Sequence, residues 1–208
     1  MKYVENKGSN NHLIITLHGT GGEATDLFGI ADYIDPLASK VGFQGEVSEN
    51  GMNRYFGRYP DGSFDLKSLK SGTDNLYASI FKFIEDHHYK NHMVTILGYS
   101  NGANIAKNLL KEFENLEIDN ALLFHPSPIT PEIGYKNQKN LNVFITSGAN
   151  DPYISESEFK DMENQMSLAG MNVGSFAHSN GHQLIQSELD NAKNFLLALE
   201  GAKNIGED

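Results

Sequence analysis

Apolar residues divide the chain into short runs and longer periodic segments. The short runs lie at 12–17, 93–97, 121–124, 141–146 and 171–178, with an edge strand expected at 2–5 and a weak strand at 42–47. Such runs are typical of strands buried on both faces of a parallel sheet. Between them, apolar positions recur every three or four residues, over 27–34, 66–84, 105–113, 159–166 and 185–199. The alternation predicts an α/β fold, with helices on both faces of a mostly parallel central sheet.

One stretch, 50–64, has no clean period and is predicted to be a loop. It carries Met52, Tyr55 and Phe56 beside Arg54. Two roles fit it equally well. Either these side chains wall a binding pocket, where the arginine holds an anionic or polar group, or the aromatic rings pin the loop to the body of the protein.

Length and charge narrow the class of protein. A chain of 208 residues is long enough for one full core, so we expect a single domain over 1–208. The formal net charge of −11 opposes binding to nucleic acid and to anionic membranes. Residues 1–11 are polar, no apolar run approaches the ~20 residues that cross a bilayer, and cysteine is absent. We therefore expect a soluble, cytoplasmic protein without disulfides or thiolate metal sites.

The segment Gly98-Tyr99-Ser100-Asn101-Gly102 stands between a predicted buried strand and a predicted helix. A strand that turns abruptly into a helix forces the central residue into a cramped conformation, which glycine neighbours permit. Ser100 then projects its hydroxyl beyond the sheet, and the helix start turns free main-chain N–H groups toward it. The pattern predicts Ser100 as a nucleophile and the Asn101 amide as an oxyanion donor. The alternative is a chance match in an ordinary turn.

A second glycine-rich turn, His18-Gly19-Thr20-Gly21-Gly22, follows the predicted strand at 12–17. Its three glycines allow the main chain to fold back with N–H groups facing one site. It fits neither the Walker-type phosphate loop nor the dinucleotide-binding glycine pattern. We predict that the Thr20 amide is the second oxyanion donor and that His18 braces the turn. A plain glycine turn into a helix is the alternative.

Asp151 and His182 stand in the loops after the last two predicted strands. The carboxyl ends of parallel strands line one crevice, so we expect these two residues to meet Ser100 there. A serine hydroxyl is too weak an acid to attack an ester alone; His182 is expected to take its proton, and Asp151 to fix the imidazole tautomer. Because an unperturbed histidine has a pKa of about 6.5, the rate is expected to fall below about pH 6 to 7. His178 is the chief rival base.

A histidine group at the end of the long helix, His87, His88 and His92, has the composition of a metal site. No acidic residue lies at a ligand spacing from it, so a solvated helix end is the favoured interpretation. The serine chemistry above requires no metal and no organic cofactor.

The motifs together resemble a known family. They are 17–22, 50–56, 98–103, Asp151-Pro152 and Gly181-His182. In these motifs, over nearly its whole length, the chain is similar to the phospholipase/carboxylesterase family of α/β-hydrolases, and especially to small bacterial carboxylesterases related to dienelactone hydrolases. One departure is the segment 125–128, His-Pro-Ser-Pro, where many relatives have a more apolar stretch.

The resemblance implies an α/β-hydrolase fold without a large lid, a triad of Ser100, Asp151 and His182, and oxyanion donors at Thr20 and Asn101. It also implies a carboxylesterase that cleaves small acyl or aryl esters through an acyl-enzyme intermediate. Thioesterase or lysophospholipase-type activity, peptidase activity and a non-catalytic binding protein are the alternatives. We expect a monomer or homodimer whose partner is a small-molecule ester, with no nucleic acid or membrane partner.

Overall fold

The computed structural model describes residues 1–205, with side chains described through residue 202. The strands in this part of the chain are β1 (Tyr3–Asn6), β2 (His12–Leu17), β3 (Ser39–Phe43), β4 (Val47–Glu49), β5 (Met52–Arg54), β6 (Met93–Tyr99), β7 (Asn120–Phe124), β8 (Asn142–Gly148) and β9 (Asn172–His178). The helices are α1 (Phe28–Ile34), α2 (Leu66–Asp86), α3 (Asn101–Glu112), α4 (Glu156–Leu168) and α5 (Gln186–Ile205). Each strand and helix expected from the apolar pattern has a counterpart here.

Seven strands form one sheet in the order β1-β3-β2-β6-β7-β8-β9. All neighbours are parallel except β1, which is antiparallel to β3. Alternate residues of β2 enter two cores: Leu13 and Ile15 pack with α2, α3 and α4, while Ile14 packs with α1 and α5. Because both faces are covered, the central strands are apolar on both sides. The mostly parallel sheet with helices on both faces is the predicted architecture.

The third strand lies earlier than the expected stretch at 42–47. It is buried along its whole length, including Lys40, whose ammonium pairs with Asp32. A lysine stem packs on apolar surface while its charged end reaches a partner. The polar residues at its start therefore interrupt the apolar run that would have marked the strand.

Residues 47–54 form a hairpin, although much of this stretch was expected to be a loop. Asn50 and Gly51 make the turn with positive φ angles of 52° and 79°. An Asn-Gly pair is favoured in two-residue hairpin turns because both residues tolerate positive φ. The hairpin strands have only three residues each, which is too few to show a period in the sequence.

The carboxyl ends of β2, β6, β7, β8 and β9 meet at one edge of the sheet, and the loops that follow them carry the candidate site residues. None of the described helices combines the length and the apolar character that crossing a membrane demands. The expectation of a single domain stays a prediction.

Candidate active site

Ser100 occupies a sharp turn between β6 and α3, with φ 52° and ψ −111°. This conformation is unusual for a residue with a side chain, and it persists only where the surroundings enforce it. Both flanking glycines are needed, because a Cβ on Gly98 would lie 2.7 Å from the Gly102 carbonyl oxygen, and one on Gly102 would lie 2.0 Å from the Leu17 carbonyl oxygen. The strand, the turn and the helix are thus packed main chain to main chain, with the serine at the tip.

The loops that carry Asp151 and His182 are joined along their main chains. A Cβ on Gly148 would lie 2.1 Å from the carbonyl oxygen of Gly181, so the two loops touch without intervening side chains. The Ala149 amide donates to the His178 carbonyl at 2.7 Å, and further hydrogen bonds continue between residues 150 and 179–180. This contact brings together two side chains that are 31 residues apart in the chain.

The three side chains predicted to meet form one hydrogen-bonded series. Ser100 Oγ lies 2.8 Å from His182 Nε2, and His182 Nδ1 lies 2.7 Å from Asp151 Oδ2. The Asp151 carboxylate is fully buried, while His182 is partly exposed. With Nδ1 donating to the carboxylate, Nε2 is free to accept the serine proton. The rival base, His178, contacts Glu188 rather than Ser100.

Aromatic side chains hold His182 in place. The Tyr99 hydroxyl donates to the His182 carbonyl oxygen at 2.7 Å, and the Tyr153 ring packs edge-on against the imidazole with centroids 4.7 Å apart. The Tyr153 amide also donates to Asp151 Oδ1 at 2.9 Å. His182 and Asp151 are therefore oriented by Tyr99 and Tyr153, to which the sequence analysis assigned no role.

A second histidine, His125, contacts Asp151. His125 is fully buried, and its Nδ1 lies 2.9 Å from the same Asp151 Oδ2 atom that faces His182. Burial raises the pKa of Asp151, but hydrogen bonds from His125, the Tyr153 amide and His182 outweigh that effect and leave this pKa below its ordinary value. The carboxylate is therefore ionised at neutral pH. In the sequence, His125 stands near the carboxyl end of a predicted strand, inside the segment 125–128 that departs from many relatives, and it received no catalytic role.

The two predicted oxyanion donors are braced by the β4–β5 hairpin and the residue after it. Arg54 Nη1 donates to Thr20 Oγ1 at 2.6 Å, and the Gly21 amide donates to the Asn53 carbonyl at 2.8 Å. The Tyr55 amide donates to Asn101 Oδ1 at 2.8 Å. One short segment therefore fixes the glycine-rich turn and the start of α3 relative to each other.

His18 holds the other side of that turn, as expected. Its Nδ1 donates to the Gly19 carbonyl at 2.6 Å, while its Nε2 accepts from the Gly45 amide at 3.0 Å. Burial lowers the pKa of His18 more than nearby groups raise it, so the ring is neutral. A neutral ring with both nitrogens bonded to the main chain is a brace and not a base.

An open cavity of about 350 Å³ surrounds the serine. Its wall is formed by Thr20, Met52, Arg54, Arg58, Phe64, Tyr99, Ser100, Asn101, Asn104, Ser127, Tyr153 and His182. Two of the four predicted substrate-contacting residues, Met52 and Arg54, are in this wall. A cavity of this size suits a small molecule.

The other two, Tyr55 and Phe56, do not line the cavity, and that prediction is corrected. Both are buried in the core, and the Tyr55 hydroxyl accepts from the His18 amide at 3.0 Å and donates to the Phe43 carbonyl at 2.7 Å. Residues 55 and 56 lie beyond the end of β5 at Arg54, in a bend of the main chain, and both side chains enter the core instead of the cavity. The second role considered for this stretch, in which aromatic rings anchor it to the body of the protein, is therefore the role of these two residues.

Two sets of described side chains have the composition of a metal site: His125, Asp151 and His182, and His125, His178 and Glu188. Neither set fits a bound metal well. In the first set, both histidines turn Nδ1 to the aspartate and one of them faces Ser100 through Nε2. In the second set, His178 Nδ1 accepts a hydrogen bond from the Asn180 amide at 3.1 Å, so Nε2 carries the proton and has no lone pair for a metal.

A serine at a strand-to-helix elbow, followed along the chain by an acid and a histidine at later strand ends, is the arrangement of an α/β-hydrolase. The chain belongs to the dienelactone hydrolase family, whose sequence profile matches residues 58–195. Membership of this family confirms the predicted resemblance, the α/β-hydrolase fold and the hydrolase class.

Several known proteins are similar over nearly the whole chain. MhqD of Bacillus subtilis (strain 168), which is named as a hydrolase, is 36% identical over 193 residues, or 93% of this chain and 96% of that protein. The solved structure of a Bacillus cereus carboxylesterase has 35% identity, covers 94% of this chain and 92% of its own, and gives a TM-score of 0.88. YahD, solved with malic acid, has 29% identity, coverages of 95% and 98%, and a TM-score of 0.85.

Proposed function

We propose that the protein is a serine carboxylesterase in which Ser100, His182 and Asp151 form the catalytic triad. The observation that carries this proposal is the continuous series of contacts, 2.8 Å from Ser100 Oγ to His182 Nε2 and 2.7 Å from His182 Nδ1 to Asp151 Oδ2. The similarity to a Bacillus cereus carboxylesterase supports the choice of ester over other acyl substrates.

The proposed reaction has two steps. His182 takes the Ser100 proton as Oγ attacks the ester carbonyl, and then gives that proton to the departing alcohol, which leaves an acyl group on Ser100. A water molecule then loses a proton to His182 and attacks the acyl carbonyl. The bond between the acyl carbon and Ser100 Oγ breaks, the acid leaves, and His182 returns the proton to Oγ. Asp151 stays ionised throughout and stabilises the imidazolium, which is consistent with the lowered pKa of its carboxyl group.

The negative oxygen of the tetrahedral intermediate is assigned to the amides of Thr20 and Asn101. Both residues line the cavity beside Ser100, and Asn101 is the first residue of α3. Amides at a helix start carry partial positive charge and are already fixed before the reaction, so stabilising the oxyanion requires little reorganisation. Losing one such donor typically lowers kcat by about 10² to 10³.

The cavity also has a positively charged wall. Arg54 and Arg58 line it, and both guanidinium groups pair with the single carboxylate of Glu49, at 3.1 Å and 3.4 Å. Burial and the neighbouring Arg58 lower the pKa of Arg54. Two cations against one anion leave a net positive charge on this wall. We therefore propose that the substrates are esters whose acyl or alcohol part carries a carboxylate, which this wall binds. The presence of malic acid in the YahD structure agrees with this substrate class.

Fluorophosphonate labelling and an ester panel test the proposed function. A fluorophosphonate probe should label the wild-type protein at Ser100 and leave a Ser100→Ala variant unlabelled. A panel of short nitrophenyl esters, acyl thioesters and anilides should give the highest kcat/KM for the esters. A clear preference for thioesters would assign the chain to the thioesterase alternative, and saturable ligand binding without turnover on any substrate would assign it to the binding-protein class.

The role of the positively charged wall in binding a substrate carboxylate can be tested separately with the Arg58→Gln variant. This side chain is partly exposed, so its replacement should leave the fold intact and remove the more accessible of the two guanidinium groups. We expect kcat/KM to fall about tenfold for a hemisuccinate ester, which corresponds to ~1.4 kcal/mol for one lost charge-assisted contact. A neutral ester of the same length is the control and should change less than about twofold. Equal losses on both esters would contradict a role for Arg58 in recognising the carboxylate.

A cytoplasmic location and a monomeric or homodimeric state also stay predictions. Size-exclusion chromatography with light scattering, on the full chain, measures the oligomeric state directly.

A further inference from the structure

His125 lies between two buried carboxylates. Its Nδ1 is 2.9 Å from Asp151 Oδ2, and its Nε2 is 2.9 Å from Glu188 Oε1. The side chains of all three residues have 0% relative exposure. The proposed mechanism uses Asp151 but assigns no task to His125 or Glu188.

A count of charges shows that this cluster needs a cation. Two ionised carboxylates whose side chains are both fully buried are costly unless positive groups neutralise them. In the part of the chain that the structure describes, the only cationic side chains within 4.0 Å of either carboxylate are histidines: His125, His178 and His182. At least one of these imidazoles must therefore carry a charge.

Geometry selects His125. His182 has to be neutral in the resting enzyme, because its Nε2 accepts the Ser100 proton. His178 Nδ1 accepts from the Asn180 amide, so that ring carries a single proton, on the Nε2 that lies 3.2 Å from Glu188 Oε2. A neutral His125 with its proton on Nε2 would turn the lone pair of Nδ1 toward Asp151 Oδ2 at 2.9 Å. With its proton on Nδ1, it would place no positive charge beside Glu188 Oε1, a buried oxygen 2.9 Å from Nε2 that has no hydrogen-bond partner among the described residues.

We propose that His125 is a positioning residue of the active site, a permanent imidazolium that bridges Asp151 and Glu188 and holds the Asp151 carboxylate beside His182. The inference rests on the proposed role of Asp151 in the triad. His125 touches neither the serine nor the substrate cavity, so it acts through its contact with Asp151 and through its charge beside His182.

The contacts of Asp151 show what this bridge does. Its Oδ2 faces both His182 and His125, while its Oδ1 accepts from the Tyr153 amide. The carboxylate is thereby fixed on three sides and cannot rotate away when His182 becomes charged. The His125 and His182 ring centroids are also only 5.2 Å apart, a distance at which two positive charges repel each other.

Every titratable group around His125 is compatible with a positive charge there. The facing groups are Asp151 after β8, His178 at the end of β9, His182 in the β9–α5 loop, Glu188 on α5, and the Tyr99 ring, whose centroid is 6.1 Å away, at the end of β6. Burial lowers the pKa of His125, but its contacts with Glu188 and Asp151 outweigh burial and leave this pKa above its ordinary value. The pKa of Glu188 is correspondingly lowered, despite burial, chiefly by its contact with His125.

The first experiment measures the charge directly and does not depend on catalysis. Nitrogen-15 NMR of the Ser100→Ala protein should show, at pH 8, one histidine with both ring nitrogens protonated and with slowly exchanging N–H protons. The same signals should be missing from the Ser100→Ala protein that also carries His125→Asn. A neutral His125 at pH 8 in this spectrum would overturn the proposal.

The second experiment measures the consequence for the reaction. Asn is the matched replacement, because it tolerates the positive φ of 54° at this position and places a neutral amide near the original Nδ1. The pH below which kcat/KM falls should move upward by about one unit in His125→Asn, since a cation that opposes protonation of His182 is gone. The exposed and distant His88→Asn is the control and should leave the profile unchanged.

These outcomes separate this inference from the proposed function. If Ser100→Ala keeps its activity, the triad itself is wrong. If Ser100→Ala is inactive but His125→Asn leaves the pH profile in place, only the positioning role of His125 fails. A stoichiometric metal in the purified protein that is lost in His178→Gln would also overturn the proposal, because a metal would then supply the positive charge.

Discussion

The Ser100→Ala variant is expected to lose at least about four orders of magnitude in kcat for a short nitrophenyl ester, because removing a triad nucleophile leaves only binding and the oxyanion donors to accelerate the reaction. The fold should survive, since the hydroxyl contacts only His182 and alanine is smaller than serine. KM should change much less than kcat, because the methyl group of alanine leaves the cavity wall intact.

The measurement is steady-state kinetics at pH 8 with protein purified from a host that lacks background esterase. Ser48→Ala, an exposed serine on β4, is the control and should match the wild-type protein. Melting curves of both variants exclude unfolding as the cause of any loss. Residual kcat above about 1% of the wild-type value in Ser100→Ala would contradict a covalent role for this serine.

The second large effect is expected on stability, in Gly102→Ala. The added Cβ would lie 2.0 Å from the Leu17 carbonyl oxygen and 2.7 Å from that of His18, and both are main-chain atoms that cannot swing aside. Either α3 or β2 has to move, although both lie in the centre of the molecule. We expect a loss of at least about 3 kcal/mol in the free energy of unfolding, at the upper end of overpacking effects, or no folded protein at all.

Gly29→Ala is the matched control. Gly29 lies in α1, and a Cβ added to it would have no atom within 4 Å, so alanine meets no obstacle there. Its higher helix propensity should leave stability equal or raise it by up to about 1 kcal/mol. Urea unfolding followed by circular dichroism measures both variants. Equal midpoints for Gly102→Ala and the wild-type protein would show that the contact between α3 and β2 is looser than described.

The sequence predicted correctly those structural features that depend on residues adjacent in the chain. β2 is an apolar run that starts and ends as predicted, and the glycines around Ser100 predicted the strained turn because few other residues allow it. The chain order of Ser100, Asp151 and His182 predicted their meeting, since strand ends in a parallel sheet share one edge. Family membership confirms the fold, and the catalytic roles of these residues stay predictions.

The sequence was uninformative where a residue takes its role from distant partners. Lys40 is buried inside a strand because Asp32 neutralises its charge, and no local pattern indicates that pairing. Tyr55 was assigned to a pocket wall, but its hydroxyl joins the main chain of His18 to that of Phe43 across the core. His125 and Glu188 are 63 residues apart, and only the packing of α5 against the sheet brings them into contact.

The β4–β5 hairpin holds the proposed oxyanion donors through its second strand and the residue after it. Its anchoring contacts begin at Asn53, whereas the turn at Asn50 and Gly51 is exposed and a Cβ on Gly51 would meet nothing. Residues added at this tip would adjoin Met52, which lines the cavity, while the contacts of residues 53–55 with the glycine-rich turn and with α3 stayed in place. Substrate range in such an enzyme can therefore be re-engineered by grafting longer tips, without retuning the reaction centre beneath them.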